Sequence, residues 1–350
     1  MAKKKTKRST KKLIIIICSI IVVIAAAVGF LYWFVLYKPN LKLAKDKQFI
    51  YIKSGSTYNM VLDDLSPILQ DSWSFKWIAE AMKYDKLIKP GRYTLADGMG
   101  NKELIQLLRS GKQEPVKIII QSHNRVGDII KNIVANLETD SQDLANELYK
   151  GNKLKLYNIL PKNMFEIFIP NTYFINWDTK PDSVIGRLVH EYDRFWNSER
   201  ESKLKALGVT RSDAITIASL VIKETNKQSD MPIIAGVVFN RLHKKMNLEM
   251  DPTIKFALND FTLKRIYNKH KDASASSPYN TYTHRGLPPG PICNPTIEAI
   301  DAVLNADNND FIFYCASETR LGYHNFAETL SQHNANARRY QRWLDANRIR

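Results

Sequence analysis

The chain begins with two sharply different patterns of polar and apolar residues. The first twelve residues, MAKKKTKRSTKK, contain seven lysines and arginines and no acid, and the next twenty-five, residues 13–37, contain no charge. An uncharged helix of that length can cross about 30 Å of hydrocarbon, and Trp33 with its neighbouring tyrosines fits an interfacial aromatic belt. The pattern predicts a cytoplasmic basic tail at 1–12 and a transmembrane helix at 13–37, with the rest of the chain on the outer side of the membrane.

A cleaved signal peptide is the alternative interpretation, since the alanines at 25–27 could form a cleavage site. They lie inside the apolar run, however, and no polar stretch precedes them. A single N-terminal anchor is therefore the preferred interpretation.

After a polar linker at 38–48, the pattern becomes that of a small α+β domain at 49–115. FIYIKSGSTYNMVLDDL predicts a strand, a Ser/Gly turn and a helix; SFKWIAEAMK predicts a second helix, and KPGRYTL a turn and a strand. Asn101 is predicted to cap a further helix whose Leu104, Ile105 and Leu108 face inward. The domain is either a spacer or a ligand-binding module.

Residues 116–350 predict a second, larger α+β domain. It begins with a strand at Val116–Gln121 and contains a long helix at about 182–197. A later helix carries IASLVIKETN, with Ser212 or Asp213 as its predicted N-cap.

Glu224 occupies an unusual position on that later helix. It follows Ile217 and Val221 at spacings of seven and three residues, which places all three on one helix face, whereas Lys223 falls off that face. A carboxylate on a buried face costs several kcal/mol unless it is paired or protonated. Glu224 therefore has either a partner or a chemical role.

Composition and charge limit the functional classes. The 350 residues are 44% hydrophobic and 25% charged, as in a folded protein, and the net charge of +16 falls to +9 without the basic tail. For a domain outside the cell, an anionic wall polymer or a membrane surface is a more plausible counterpart than nucleic acid. No nucleic-acid partner is predicted.

The cysteines and histidines do not indicate a metal or cofactor site. Cys18 lies in the apolar run, and Cys293 and Cys315 lie beyond it, where pairing between them is left open. No metal-ligand spacing, P-loop or dinucleotide fingerprint occurs. The sequence predicts no metal and no cofactor.

Three stretches downstream of IASLVIKETN carry a family resemblance: GVVFNRLHKKMNLEMDPTIKFAL, SSPYNTYTHRGLPPGPICNP and GYHNFAETLSQHN. Together they resemble the YceG-like family of endolytic murein transglycosylases, over nearly all of the chain after Phe49. The resemblance implies a LysM-like domain at 49–115, a YceG-like catalytic domain at 116–350 and a single-pass inner-membrane enzyme that faces the periplasm. It further implies cleavage of nascent peptidoglycan between MurNAc and GlcNAc, with 1,6-anhydro-MurNAc ends, termination of strand elongation and peptidoglycan synthases as possible partners.

The family's catalytic glutamate lies in an E-x-E-T motif, of which this chain keeps KET, with Ile222 in place of the first acid. Glu224 is thus the sole acid left in the motif, and the resemblance makes it the catalytic residue. A glutamate among apolar groups has a raised pKa and can protonate a leaving oxygen near neutral pH.

Other candidates have both structural and functional interpretations. Asp251, in the DPT motif, is either a turn cap or a second carboxylate for a muramidase. Asn240 and Arg241 either contact substrate or close a helix end, and His324 and His333 are expected to be structural. The predicted substrate-binding set is Asn240, Arg241, Asp251, Tyr279, Asn280, Thr281 and Tyr282.

The sequence thus predicts the α+β class, with one transmembrane helix, a LysM-like domain and a catalytic domain. A lytic transglycosylase is the preferred function. A muramidase that uses Glu224 and Asp251, and a non-catalytic wall-binding scaffold, are the alternatives.

Overall fold

The computed structural model describes residues 3–157 and 159–347. The first two residues of the predicted basic tail, and the side chains of its first ten, lie outside this description. The chain forms two compact units: residues 1–116 with 176–178, and residues 117–175 with 179–350. Both contain helices and short strands, so the predicted α+β class is confirmed.

Helix α1 spans Lys3–Tyr37. Its stretch Lys11–Tyr37 is long and apolar enough to cross a membrane. The most apolar 18 residues of this stretch are not buried inside the protein. An apolar surface of this kind is costly in water and stable in lipid, which is consistent with a membrane anchor.

The first unit has the order strand, helix, helix, strand, helix: β1 (Lys47–Ile52), α2 (Tyr58–Leu65), α3 (Ser72–Ala81), β2 (Gly91–Ala96) and α4 (Asn101–Ser110). β1 and β2 pair antiparallel, with Lys47 opposite Ala96 and Ile52 opposite Gly91. The alternating inward residues of both strands and the apolar faces of the helices form one core.

The sequence predicted Asn101 as the N-cap of α4, but Gly100 holds that position. The Asn101 side chain is used in tertiary hydrogen bonds instead. It accepts from Asn40 Nδ2 at 2.7 Å and donates to Val35 O and Ser74 Oγ, each at 3.1 Å. These bonds tie the end of α1 to α3 and α4.

The second unit holds the remaining elements. Two-stranded sheets form between β3 and β4 and between β5 and β6. The elements are β3 (Val116–Ile119), α5 (Val126–Val134), α6 (Ser141–Lys150), α7 (Lys153–Leu156), β4 (Thr172–Ile175), α8 (Pro181–Phe195), α9 (Ser198–Leu207), α10 (Arg211–Glu224), α11 (Met231–His243), α12 (Asp251–Ala257), α13 (Asn268–Ala273), α14 (Ile297–Leu304), β5 (Phe313–Ala316), β6 (His324–Ala327) and α15 (Leu330–Ala346).

Helix α10 is the central element of this unit, because its residues 214–221 are all buried. It packs against α11 and α14. Its N-cap is Thr210, not Ser212 or Asp213 as predicted: Thr210 and Asp213 form a capping box. The Ser212 hydroxyl donates instead to the buried carboxylate of Glu166 at 2.6 Å.

Candidate active site

Glu224 is the last residue of α10. Ile217 and Val221, on the same helix face, have no exposed surface, whereas Glu224 is only partly buried because it reaches the wall of a cleft of about 400 Å³. Thr225 ends the helix in an extended conformation and accepts a hydrogen bond from Lys227 N at 3.0 Å. The cleft is lined by Ile222, Lys223, Glu224, Thr225, Asn226, Ala316, Gly322, Tyr323 and His324.

The surroundings of Glu224 favour its protonated form. Burial raises the pKa of the carboxyl to about 7, and the negative charge of Asp251 contributes to the rise. A hydrogen bond from Tyr314 and the positive charge of Lys255 act in the opposite direction. A pKa near neutrality lets the same group donate a proton and accept it back, which is the requirement for general acid–base catalysis.

Tyr314, on β5, contacts His324, which is itself bonded to Asp230. The His324 ring lies edge-on to the Tyr314 ring, with centroids 5.5 Å apart. His324 Nδ1 lies 3.1 Å from Asp230 Oδ2, and the same oxygen accepts from His324 N at 2.9 Å. These contacts fix the orientation of His324 in the cleft wall. His333 instead stacks on Phe313, and burial lowers its pKa.

Asp251 is the first residue of α12 and is exposed. Its Oδ1 accepts a 2.6 Å hydrogen bond from the Tyr282 hydroxyl. The N-cap of α12 is Met250, and no side chain caps this helix, so the turn-cap interpretation of Asp251 is not what the structure shows. Asp251 and Tyr282 are the members of the predicted substrate-binding set that interact electrostatically with Glu224.

Asn240 and Arg241 bind backbone within the second unit. Asn240 Nδ2 donates to Asn309 O at 2.7 Å and to Phe311 O at 3.0 Å. Arg241 Nε donates to Ile312 O at 2.7 Å, and its Nη1 donates to the carbonyls of residues 247 and 248 and to the Glu249 carboxylate. Arg241 thereby connects the segment that leads to Asp251 with the segment that leads to Tyr314.

Three residues of the YNTY motif also have internal partners. Tyr279 packs on Phe256, with ring centroids 4.7 Å apart. Asn280 has no exposed surface and donates to Lys271 O and Ser274 Oγ, each at 3.0 Å. Thr281 Oγ1 accepts from Met250 N at 3.0 Å. These contacts attach the motif to α12, to the end of α13 and to the residue before Asp251. Tyr282 is the residue of the motif that reaches the Asp251 carboxylate.

The proline-rich segment after this motif is attached directly to α10. Ser219 Oγ accepts from Ile292 N at 3.0 Å, and Asn294 Nδ2 donates to Gln121 O and Phe168 O, each at 2.9 Å. The segment at 290–295 is buried throughout. Its rigidity follows from its prolines and from these bonds.

Sequence reasoning missed Lys255, Tyr314 and the cleft position of Lys223. Lys255 lies four residues after Asp251 on α12, a spacing that puts the two side chains on one face, so a signal was present. Tyr314 had no such signal, because it reaches Glu224 through a strand ninety residues away.

Within residues 3–157 and 159–347 no group of three or more His, Cys, Asp or Glu could hold a metal ion. Cys293 and Cys315 are both free thiols, so these two cysteines do not pair.

Comparison with known proteins matches the chain to one family. Residues 50–339 match the model of the YceG-like family. An endolytic murein transglycosylase of Bacillus subtilis is 29% identical over 329 residues, which are 89% of each chain. A protein of the same name from Streptococcus pneumoniae is 28% identical over 75% of this chain, which spans about half (52%) of that relative's length.

A solved structure gives the same assignment. The crystal structure of a yceG-like protein from Listeria monocytogenes covers 83% of this chain and 99% of its own, with a TM-score of 0.55 and 25% identity. The resemblance inferred from the NRL, DPT and YNTY motifs is therefore confirmed: the chain belongs to the YceG-like family.

Proposed function

We propose that this chain is an endolytic lytic transglycosylase that cleaves peptidoglycan glycan strands between MurNAc and GlcNAc. The observation that carries the proposal is Glu224: a carboxyl with a pKa of about 7 at the wall of a 400 Å³ cleft, in a chain of the YceG-like family. The relatives named above are endolytic murein transglycosylases, which supports peptidoglycan as the substrate.

The proposed reaction uses Glu224 twice. Its carboxyl first protonates the glycosidic oxygen, and the bond from that oxygen to C1 of MurNAc breaks. The resulting carboxylate then takes the proton from the C6 hydroxyl of the same sugar, while O6 bonds to C1. No water is consumed, the product is a 1,6-anhydro-MurNAc end, and Glu224 regains its proton. The hydroxyl is an economical nucleophile because it is held on the reacting ring at high effective concentration.

Helix α1 would keep this reaction close to the membrane. The stretch Lys11–Tyr37 is suited to anchor the chain, and the seven basic residues before it favour an outward-facing, periplasmic catalytic unit. Anchoring raises the local concentration of enzyme around newly made strands. We therefore propose nascent strands as substrate, termination of strand elongation as the outcome, and peptidoglycan synthases as neighbours. The strand–helix–helix–strand order of the first unit supports a LysM-like glycan-binding role for it.

A muramidase is the second candidate, and Asp251 is the observation in its favour. Its charge acts on Glu224, so two carboxyl groups influence one site, as in glycosidases that activate water. A non-catalytic scaffold is less well supported, since a wall-binding role does not require a carboxyl with a raised pKa.

The end groups of the products distinguish these functions. Peptidoglycan strands digested in heavy-oxygen water should give unlabelled ends about 20 Da lighter than the labelled ends that hydrolysis in this water would give, since a lyase adds no water. Labelled reducing ends would establish the muramidase. Binding of strands without cleavage, by the wild type as well as by Glu224→Gln, would establish the scaffold.

A further inference from the structure

A second hollow lies beside the cleft and shares Lys223 with it. Its volume is about 140 Å³, and it is lined by Asn124, Lys223, Pro252, Lys255, Phe261 and Ile292. Lys255 also acts electrostatically on Glu224, so the hollow lies close to the carboxyl that we assign to catalysis. None of the proposed catalytic steps uses this hollow.

The polar groups of the hollow are available for a ligand. Lys223 and Lys255 bring two ammonium groups, which suit carboxylates. Among the residues that the structure describes, none provides a hydrogen-bond partner for the buried Asn124 Oδ1. A buried polar atom without a partner costs free energy, and a bound donor would remove that cost.

The hollow is also held in shape by its surroundings. His123 N, next to Asn124, donates to Asn294 Oδ1 at 2.7 Å. Arg125 covers the Phe261 ring at 4.9 Å and donates from Nε to Asn259 Oδ1 at 3.1 Å. The site is therefore built before any ligand arrives.

The acids on the neighbouring segments have partners of their own. Asp251 accepts from the Tyr282 hydroxyl, and Asp260 accepts from Thr262 N and Oγ1 at 3.0 and 2.6 Å. In the part of the chain that the structure describes, neither acid forms an ion pair with Lys223 or Lys255. Both ammonium groups are thus free to meet an anionic ligand.

We propose that this hollow binds the acidic stem peptide of the muramoyl residue that Glu224 cleaves. This inference rests on the proposed function. The peptide leaves MurNAc through the lactyl group at C3, two carbons from the reacting C1, so a neighbouring hollow is within its reach. Its D-glutamyl unit carries a free α-carboxylate for the two lysines, and its amide N–H groups can donate to Asn124 Oδ1. The apolar floor of Pro252, Phe261 and Ile292 accommodates the aliphatic parts.

A binding experiment tests the site without turnover. The full-length Glu224→Gln protein in detergent is titrated with muramoyl-tripeptide and with the same probe amidated at the D-glutamyl α-carboxyl. We expect amidation to weaken binding about tenfold, as for the loss of a charge-assisted hydrogen bond. Adding Lys255→Met should remove most of that difference, whereas Lys205→Met, at an exposed lysine of α9, should preserve it. Equal binding of the two probes, or no binding of either, would overturn the proposal.

A cleavage experiment tests its consequence for substrate choice. Uncrosslinked strands are compared before and after an amidase removes their peptides. Because Lys223 lines the cleft and Lys255 acts on Glu224, each substitution can change the cleavage of both strands, and the readout is the ratio of kcat/KM on peptide-bearing strands to kcat/KM on bare strands. We expect Lys255→Met and Lys223→Met each to lower this ratio several-fold. An unchanged ratio would contradict a peptide site and assign the lysines to the sugar or to Glu224. A wild-type protein that cleaves neither strand would refute the proposed function, while the binding experiment would still decide the peptide site.

Asn124→Val distinguishes a ligand contact from a structural one. The substitution removes the amide at nearly constant volume, so we expect weaker binding of muramoyl-tripeptide and an unchanged or higher melting temperature. A lower melting temperature with unchanged binding would show that the amide serves the fold, against the proposal.

Discussion

The Tyr282 hydroxyl donates a 2.6 Å hydrogen bond to Asp251 Oδ1, and the charge of Asp251 adds to the rise that burial causes in the pKa of Glu224. The two residues are 31 positions apart and join the YNTY and DPT motifs next to the carboxyl that we assign to catalysis. Asp251 thus influences the proton on Glu224 even if it never touches the substrate.

Asp251→Asn should therefore lower the pKa of Glu224, because a neighbouring negative charge is removed. The alkaline limb of the kcat/KM–pH profile should shift to lower pH, with modest loss at neutral pH and unchanged 1,6-anhydro ends. Tyr282→Phe keeps the charge of Asp251 and should leave that limb nearly in place. Complete inactivity of a folded Asp251→Asn protein would instead favour the muramidase.

Glu224→Gln should lower kcat by about 10²–10⁴-fold, the typical contribution of general acid–base catalysis. The amide keeps the size of the side chain but cannot transfer the proton. Strand cleavage by the purified protein is the measurement, and Glu298→Gln, at an exposed position of α14, is the control. Substantial activity in Glu224→Gln would mean that Glu224 is structural.

The raised pKa of Glu224 also predicts a pH-dependent stability. The carboxyl titrates near 4.5 in the unfolded chain and near 7 in the folded one, so between these values the folded protein binds more protons. The free energy of unfolding should fall as the pH rises through this window. Glu224→Gln removes the effect. The free energy of unfolding of this variant relative to wild type should therefore rise by on the order of 2 kcal/mol between pH 4.5 and 8. The partial exposure of Glu224 keeps this gain below the full value of the shift. Denaturant unfolding at both pH values measures it, and parallel pH profiles of the two proteins would contradict the assignment.

Arg241→Lys separates a structural role from substrate binding. A lysine cannot reproduce the contacts of the guanidinium with Ile312 O, Leu248 O and Glu249, so a loss of on the order of 3 kcal/mol in unfolding free energy is expected. Arg187→Lys, in an exposed helical ion pair with Glu191, should change stability by less than about 0.5 kcal/mol. A higher KM with unaltered stability in Arg241→Lys would restore the substrate-binding prediction.

The membrane orientation can be tested with fusions. Alkaline phosphatase placed after Arg350 should be active, because the basic tail favours an outward-facing C-terminus. The same enzyme fused after Lys12, before the apolar run, should be inactive. A mature chain that begins near Val28 would show that the apolar run is a cleaved signal peptide.

The parts of the site that sequence predicted best are those set by local periodicity. The seven-residue spacing correctly predicted one helix face for Ile217 and Glu224, because α10 is a regular helix through its last residue. The predicted N-cap of α10, Ser212 or Asp213, is wrong although Thr210 and Asp213 have the spacing of a capping box, because several polar residues compete at that helix start. Capping propensity cannot rank these neighbouring polar residues. Their tertiary partners decide which one caps the helix: the Ser212 hydroxyl donates to Glu166 instead of capping α10.

The long-range contacts were not predictable from one sequence. Nothing local indicates that Asp251 meets Tyr282, or that Tyr314 and His324 line the same cleft as Glu224. These contacts depend on how α10, α12 and the last two strands pack. The motif resemblance brought the segments together. The residue types of the YNTY motif suggested substrate binding, but the polar atoms of Asn280 are used inside the protein.

The first unit contains three residues from far along the chain, 176–178. The Trp177 ring meets Tyr51 at 5.2 Å, and Asp178 Oδ1 accepts from Gln113 Nε2 at 2.8 Å. A gene fragment that stops at residue 116 would therefore encode an incomplete module, with one face of Tyr51 uncovered and Gln113 without its bond to Asp178. Isolating this module for glycan-binding assays calls for a synthetic peptide or a grafted loop that returns 176–178 to it, and a protease cut between residues 116 and 176 of the intact chain need not release it.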